Sequence, residues 1–529
     1  MNLHSAAVSD NSSRKLLVAI VFVLIFAVAA YEFSELVLTG ELMGFAYVTL
    51  LAVGCIFIIA ILHNWRNGVY FFFTWLLFED LARKYLGNNM AVYFAKDILV
   101  VFVYLSFFIA VRRKKTVKLL RPPFFVAVML LVWFGIMQMF NPASSTIVYG
   151  LLGVKLFFWY IPLYYVGYAL FNSEADLRRF FGVNAWLTLV ITGLGVAQSI
   201  IGPSFLNPAR PADEIRELST LYRVSPITGL ISYRAPSVFV STGRYTNYLL
   251  VSWVLILAFT GYLLLRQRRG RNIAFISLAV TYAAIILSGS RGAFLWTAGV
   301  ALIVAVAFVW GAPWRQREVI RVFRTLQRAA LGIALAIVAL FFIFPDALLA
   351  RLAIYSETLT PGGSASELQH RTWEYPIQNF LGAFEYDRWP YGFGIGTSSL
   401  GVQYVAKIFH EVPMGIGVES GFGTLVVEMG IGGLILWFIM SIAIIVSAWK
   451  VVQKLRGSPW FPIAFSIFLY ATVLLIPMTF ASMVAYEDFV INAYFWLMLG
   501  ILFRLPTLPL SSQFANVPAA VSGKRLRAG

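Results

Sequence analysis

The stretch Ser288-Gly289-Ser290-Arg291-Gly292-Ala293 sets one arginine and two hydroxyls at a sharp break between two long apolar runs. A guanidinium presents a rigid fork of donors that matches phosphate oxygens, and the amides that open a helix add partial positive charge. Together they suit the gripping of an anion, with phosphate first among the candidates. Flanking glycines let the backbone close on a ligand. The competing reading is a polar hairpin tip whose Arg291 snorkels to lipid headgroups.

Two other arginines stand among aromatic residues. Arg234 lies in YRAPSVF, and Arg371 lies in HRTWEY beside Trp373. A guanidinium next to Trp and Tyr suits a sugar phosphate, because rings cover sugar faces while the cation holds the phosphate. A structural ion pair, such as Arg371 with Glu374, competes with that reading. From Pro390 the chain runs PYGFGIGTSS, then His410-Glu411, then VESGFGTLVVEMGIGG. This glycine run lacks the strand and spacing of a dinucleotide fingerprint, so a tight turn at a membrane surface is expected. Glu419 opens an apolar span, where it suits a helix cap and equally a general base. Glu428 lies nine residues deeper, where a carboxylate normally faces a polar cavity or partner.

Other chemistries find little footing. The histidines His4, His63, His370 and His410 share no ligand spacing, and His410-Glu411 lacks the second histidine of H-E-x-x-H. There is no D-x-D pair and no G-x-x-x-x-G-K-[ST] loop, so neither a metal–nucleotide grip nor a phosphate-binding loop for ATP is expected. No metal and no cofactor are therefore expected. The single cysteine, Cys55, has no partner for a disulfide or a thiolate site.

The elements that must position these residues are apolar helices. Of 529 residues, 60% are apolar and 12% charged, whereas soluble domains carry about 25% charged residues. A crossing length of about 20 residues yields roughly fourteen spans. They lie near 16–36, 41–62, 67–79, 93–111, 122–140, 148–170, 180–202, 245–265, 273–289, 292–311, 329–345, 423–448, 460–482 and 488–503. The first is read as an uncleaved anchor rather than a signal peptide, because it continues unbroken to Glu32. With the N-terminus inside, 27 of the 41 Lys and Arg but only 4 of the 24 acids fall in inner segments. That split follows the positive-inside rule, and it explains a net charge of +17 without nucleic acid.

The expected fold class is all-α: a polytopic integral membrane protein forming a single membrane domain over 1–529. Two outer loops are long, 203–244 with 42 residues and 346–422 with 77. The second, between the eleventh and twelfth spans, is expected to be partly helical. Loops beyond about 15 residues usually carry function, so the chemistry is expected to face outward. Arg210, Arg216, Arg223, Arg234 and Arg244 sit in the first loop, Arg351, Arg371 and Arg388 in the second. Eight arginines on the less basic face suggest a cationic cavity, although 20 acids share that side.

The ordered set of SGSRGA opening a span, an outer R-x-W, a P-x-G-x-G-x-G turn and E-x-G-x-x-G entering the next span resembles the O-antigen ligase and polymerase superfamily. The resemblance covers roughly Arg234 to Gly433, with a weaker likeness in FEDLARKYLGNNMAVYFAKD at Phe78–Asp97. It implies a metal-independent glycosyltransferase at the outer face of the bacterial inner membrane. Its substrate would be an undecaprenyl-pyrophosphate-linked glycan, its solvent the lipid bilayer, and a chain-length regulator a candidate partner. By that likeness Arg291 holds pyrophosphate and Arg234 answers to the arginine of the preceding outer loop, while the local chemistry adds Ser288 and Ser290 at the anion and Arg371 and Trp373 on the glycan. Ligases of the family follow an H-[NSQ]-x9-G-x-x-G pattern; Glu419 stands here at the histidine position, before Ser420, Gly430 and Gly433. This favours a polymerase over a ligase, with Glu419 as base and the displaced His410 as the lesser candidate. A ligase acting on a lipid or protein acceptor remains an alternative. So does a flippase, although no internal repeat supports it.

Overall fold

The computed structural model of the protein describes residues 42–86, 90–113, 119–207, 221–224, 231–266, 270–313, 338, 341–342, 349, 352, 355, 374–399, 402 and 416–510. Among these, eight helices are long and apolar enough to cross a membrane. They are Ala91–Arg113, Ile147–Leu170, Glu174–Ile201, Thr242–Arg266, Arg291–Gly311, Gly421–Lys454, Phe461–Ala481 and Phe489–Thr507. Gly54–His63, Phe125–Gln138 and Arg271–Leu287 are apolar but shorter. The protein is thus all-α with a membrane-spanning composition. Of the remaining expected spans, 16–36 lies outside the described residues and 329–345 lies almost wholly outside them. The stretch 67–79 is helical, but its helix also buries Glu79, Asp80, Arg83 and Lys84.

Two compact units make up the chain, Met1–Lys118 and Leu119–Gly529. In the first, helices α1 (Leu42–His63), α2 (Trp65–Tyr85) and α3 (Met90–Arg113) follow one another closely. Asn64 caps α2 by accepting from the Arg66 amide at 3.1 Å, and Ser106 Oγ donates to Ile61 O, tying α3 to α1. Where α2 meets α3, Glu79, Asp80, Arg83, Lys84, Lys96 and Asp97 are all buried. Three cations balance three anions there. Lys96 Nζ reaches Glu79 Oε1 at 2.9 Å, Arg83 reaches Asp80 at 3.2 Å, and Lys96 also lies over the Tyr93 ring.

The second unit contains α4 (Phe125–Gln138), α5 (Ile147–Phe158), α6 (Leu163–Leu170), α7 (Glu174–Ile201), the strands β1 (Tyr222–Val224) and β2 (Ile231–Tyr233), α8 (Thr242–Arg266), α9 (Arg271–Leu287) and α10 (Arg291–Gly311). It continues with α11 (Tyr375–Gly382), α12 (Gly421–Lys454), α13 (Phe461–Val473) and α14 (Phe489–Arg504). A π-helical turn with Pro477 inside it, Leu474–Met478, extends α13, as expected where proline removes a backbone donor.

Contacts at helix ends define a shared face. Glu174, at the start of α7, takes a bidentate pair from Arg266 at the end of α8, both bonds 2.9 Å. The Gly457 amide donates to Gly311 O, so α12 ends beside the end of α10, and Arg504 Nε donates to Phe171 O. The opposite ends of these helices therefore share the other face, which holds the Ser288–Arg291 tip and is termed the tip face below.

Helix α14 is the core element, with every residue from Phe489 to Phe503 buried. A helix apolar all round requires burial on every side. It packs against α6 at backbone distance: a β-carbon on Gly167 would collide with Leu497 O, and one on Gly500 with Tyr164 O. Small residues at helix crossings allow this approach in an apolar medium. By contrast α10 leaves Leu302, Val306 and Val309 largely exposed, as a lipid-facing stripe would.

Candidate functional site

Arg234 follows directly on β2. That strand pairs antiparallel with β1, Tyr222 opposite Tyr233 and Val224 opposite Ile231. This hairpin lies in the first long loop, and the sequence reading did not anticipate it. The segment beyond it is anchored to α7 through Ser237, whose amide donates to Gln198 Oε1 and whose hydroxyl donates to Ile191 O, both at 2.7 Å. Arg234 is thereby carried on a fixed strap. Burial lowers its guanidinium below the ordinary arginine range, with Tyr355 nearby acting in the opposite direction.

The strap meets the tip between α9 and α10. Gly289 adopts φ +63, a left-handed conformation that favours glycine. The Cγ of Arg234 and the Oγ of Ser232 each lie 3.5 Å from where a Gly289 β-carbon would stand. Ser288 Oγ donates to Ile285 O at 2.7 Å and accepts from the Ser290 amide at 3.2 Å. Ser290 is the N-cap of α10, accepting from the Ala293 amide. Both hydroxyls thus build the turn. Arg291 is the first residue of α10 and is buried. Its backbone sits where the helix dipole is positive.

A third segment joins them. Tyr355, in the second long loop, donates its hydroxyl to Ile286 O at 2.8 Å and stacks on Phe294 at 4.8 Å. No motif marks Tyr355 in the sequence. Arg371, Trp373 and His410 lie outside the described residues.

Glu419 lies in a different neighbourhood. It is exposed, and its amide donates to Asn379 Oδ1 at 3.3 Å. The cap of α12 is Ser420 rather than Glu419, because Ser420 Oγ accepts from the Gly423 amide. The same hydroxyl donates to Phe480 O at 2.9 Å.

Glu428 explains the glycine turn. Its carboxylate accepts from the Gly396 amide at 2.9 Å, the Ser398 amide at 3.0 Å and Ser398 Oγ at 3.1 Å. Its carbonyl accepts from the Gly394 amide, while the Phe393 amide reaches Val427 O. Gly430 breaks α12 with φ +69, and a side chain there would strike Pro390 O. The two glycine motifs therefore form one latch, a loop locked into a kinked helix around a buried carboxylate. A buried charge held this way satisfies its acceptor capacity with backbone donors.

Beyond the latch stands a second charged group, also unmarked by any sequence motif. Arg244 Nε approaches Asp488 Oδ2 at 3.5 Å, and both Arg244 and Lys155 lie over the Phe489 ring. The neighbouring Glu487 is buried, and burial pushes its carboxyl up to about 8, with the Glu428 charge adding to the shift. Among the described residues no cluster of His, Cys, Asp or Glu could hold a metal ion. Chemically, the tip offers a cation and helix-start amides, and the region around Glu419 offers an exposed carboxylate. No protein-family model and no curated protein sequence matches the chain.

Proposed function

We propose that the protein is a metal-independent glycosyltransferase that polymerises or transfers undecaprenyl-pyrophosphate-linked oligosaccharide in the synthesis of surface polysaccharide, closer to an O-antigen or exopolysaccharide polymerase than to a ligase. The observation that carries this reading is the packing of Arg234 onto the Ser288–Arg291 tip. Guanidinium-bearing residues from two separate segments meet beside the start of α10, the arrangement a diphosphate leaving group requires. The reading also takes the chain as an inner-membrane protein of about fourteen spans with the tip face outward.

In the proposed step an acceptor hydroxyl oxygen bonds to the anomeric carbon as that carbon's bond to the diphosphate breaks. The diphosphate leaves with the electron pair, and Glu419, which stands apart from the arginine tip on the same face, takes the hydroxyl proton when the bound substrates span the two neighbourhoods. Arg291 and Arg234 stabilise the departing charge, which a poorly solvated site favours far more than water does. No ATP is needed, because the diphosphate ester is itself activated.

The test uses purified protein and lipid-linked repeat units, with products resolved on a gel. A ladder from the wild type and none from Arg291→Ala, with the variant still accumulating in the membrane, supports the reading. An undiminished ladder from Arg291→Ala overturns it. Transfer onto added lipid A–core in place of a ladder would assign a ligase.

A further inference from the structure

On the tip face an open cleft of about 560 Å³ lies between α11, the turn after it, and the segment leading into α12. Its lining is Tyr375, Gln378, Asn379, Glu385, Tyr386 and Val418, closed at one side by Gly382. The volume falls within the roughly 300–1,000 Å³ typical of small-ligand sites. The chemistry of the lining is unlike that of the arginine tip. Two phenol rings, two side-chain amides and one carboxylate line it, and no Lys or Arg is among the lining residues described.

Its walls are fixed by the fold. Tyr386 Oη accepts from the Gly417 amide at 3.4 Å, and its ring meets Phe393 edge-on at 6.1 Å. Asn379 Nδ2 donates to Tyr375 O at 2.9 Å, while Asn379 Oδ1 accepts from the Glu419 amide at 3.3 Å. Gly423, in the first turn of α12, stands so close that a β-carbon there would lie 3.4 Å from Ala383 Cβ. The cleft therefore opens beside Glu419. Gln378 and Glu385 are exposed at its rim with their polar ends available to a ligand.

We infer that this cleft is the docking site for the acceptor glycan, and that the sugar it takes is neutral. Amides and a carboxylate offer paired donors and acceptors to vicinal hydroxyls, and phenol rings present flat apolar faces with a polar edge. A carboxylate on a rim whose described lining carries no Lys or Arg disfavours uronic acids and phosphates, because a second anion would be repelled. The site thus separates the two substrates by charge: the diphosphate goes to the arginine tip, the neutral acceptor to this cleft. It places the incoming hydroxyl beside Glu419. The inference rests on the transferase reading.

The test is binding of the host's repeat-unit oligosaccharide, freed from its lipid diphosphate by mild acid, to the full-length protein in nanodiscs. Gln378→Ala and Glu385→Gln change exposed rim positions and leave the packed Tyr386 and Asn379 in place. The double variant is expected to raise Kd at least tenfold, while Arg291→Ala binds the lipid-free oligosaccharide as the wild type does. Wild-type affinity in the double variant overturns the cleft assignment, and so does a failure of the wild type to bind. Either result leaves the transferase reading standing so long as Arg291→Ala still abolishes the ladder. A normal ladder from Arg291→Ala sinks the transferase reading whatever the cleft binds.

Discussion

The Cγ of Arg234 lies 3.5 Å from the point where Gly289 would carry a β-carbon, so strap and tip touch at the one tip residue without a side chain. Alanine there would hold a left-handed backbone at a cost of roughly 1–2 kcal/mol and set a methyl group in van der Waals contact with Arg234. Gly289→Ala is expected to lower Tm by a few degrees and reduce polymer output at least tenfold. Gly292 has nothing within 4 Å of its β-carbon position, so Gly292→Ala should change neither. Equal behaviour of the two variants in thermal unfolding and in the gel assay would refute the contact's importance.

Arg234 and lysine differ in a way burial exposes. Burial disfavours the cation, and a lysine at that position would give up its proton far more readily than a guanidinium. Arg234→Lys should therefore retain partial activity near pH 6 and lose it as pH rises towards 9, while the wild type shows no such loss from this residue. Arg234→Ala should lose about 10²–10³ in rate at every pH, the magnitude expected on removing a charge-stabilising donor. A pH–rate profile for Arg234→Lys parallel to that of the wild type would show that its charge is not used.

What could be read from the chain follows from how local each signal is. Apolar runs of crossing length are local, and helices α7, α8, α10 and α12 stand where composition placed them. Ser173 and Asp176 form a capping box at the start of α7, a signal three residues long. Glu428 could be read as needing a polar partner, yet its partners are the amides of Gly396 and Ser398, and no spacing rule pairs such distant positions. The hairpin of Tyr222–Val224 with Ile231–Tyr233 is too short for alternation to stand out inside a long loop. Glu419 looked like a cap because it is acidic at a helix start. Ser420 takes that place because a short hydroxyl reaches the orphan amides more directly. Tyr355 and Glu487 carry no motif, and only tertiary packing brings them to notice; Arg244 counts among the outer-loop arginines, but only packing sets it against Asp488.

The latch around Glu428 should be structural. Glutamine at that position turns one acceptor oxygen into a donor facing the Gly396 or Ser398 amide, and a buried donor without an acceptor costs about 1–3 kcal/mol. Glu428→Gln is expected to lower Tm by several degrees in detergent and to open the 390–399 turn to protease. Ser398→Ala removes only the hydroxyl bond at 3.1 Å and should have less than half that effect. A glutamine variant as stable and as protease-resistant as the wild type would show that the turn holds without the carboxylate.

Glu487 makes stability depend on pH with a definite sign. Its carboxyl is raised from the ordinary 4.5 to about 8 by burial, reinforced by Glu428, with Arg244, Asp488 and Lys155 grouped about the adjoining Phe489. Between those two values the folded protein holds a proton that the unfolded chain has released. Stability must then fall as pH rises through this window, because the folded state binds more protons than the unfolded one. Below pH 4.5 both states are protonated and the contribution is flat. Glu487→Gln fixes the neutral form, so it should remove this slope and exceed the wild type at pH 8 by an amount on the order of a few kcal/mol. At pH 5 the two should unfold together. Thermal unfolding across pH 5–8 checks the prediction, and parallel curves for the two proteins would mean that Glu487 is ionised throughout or lies open to water.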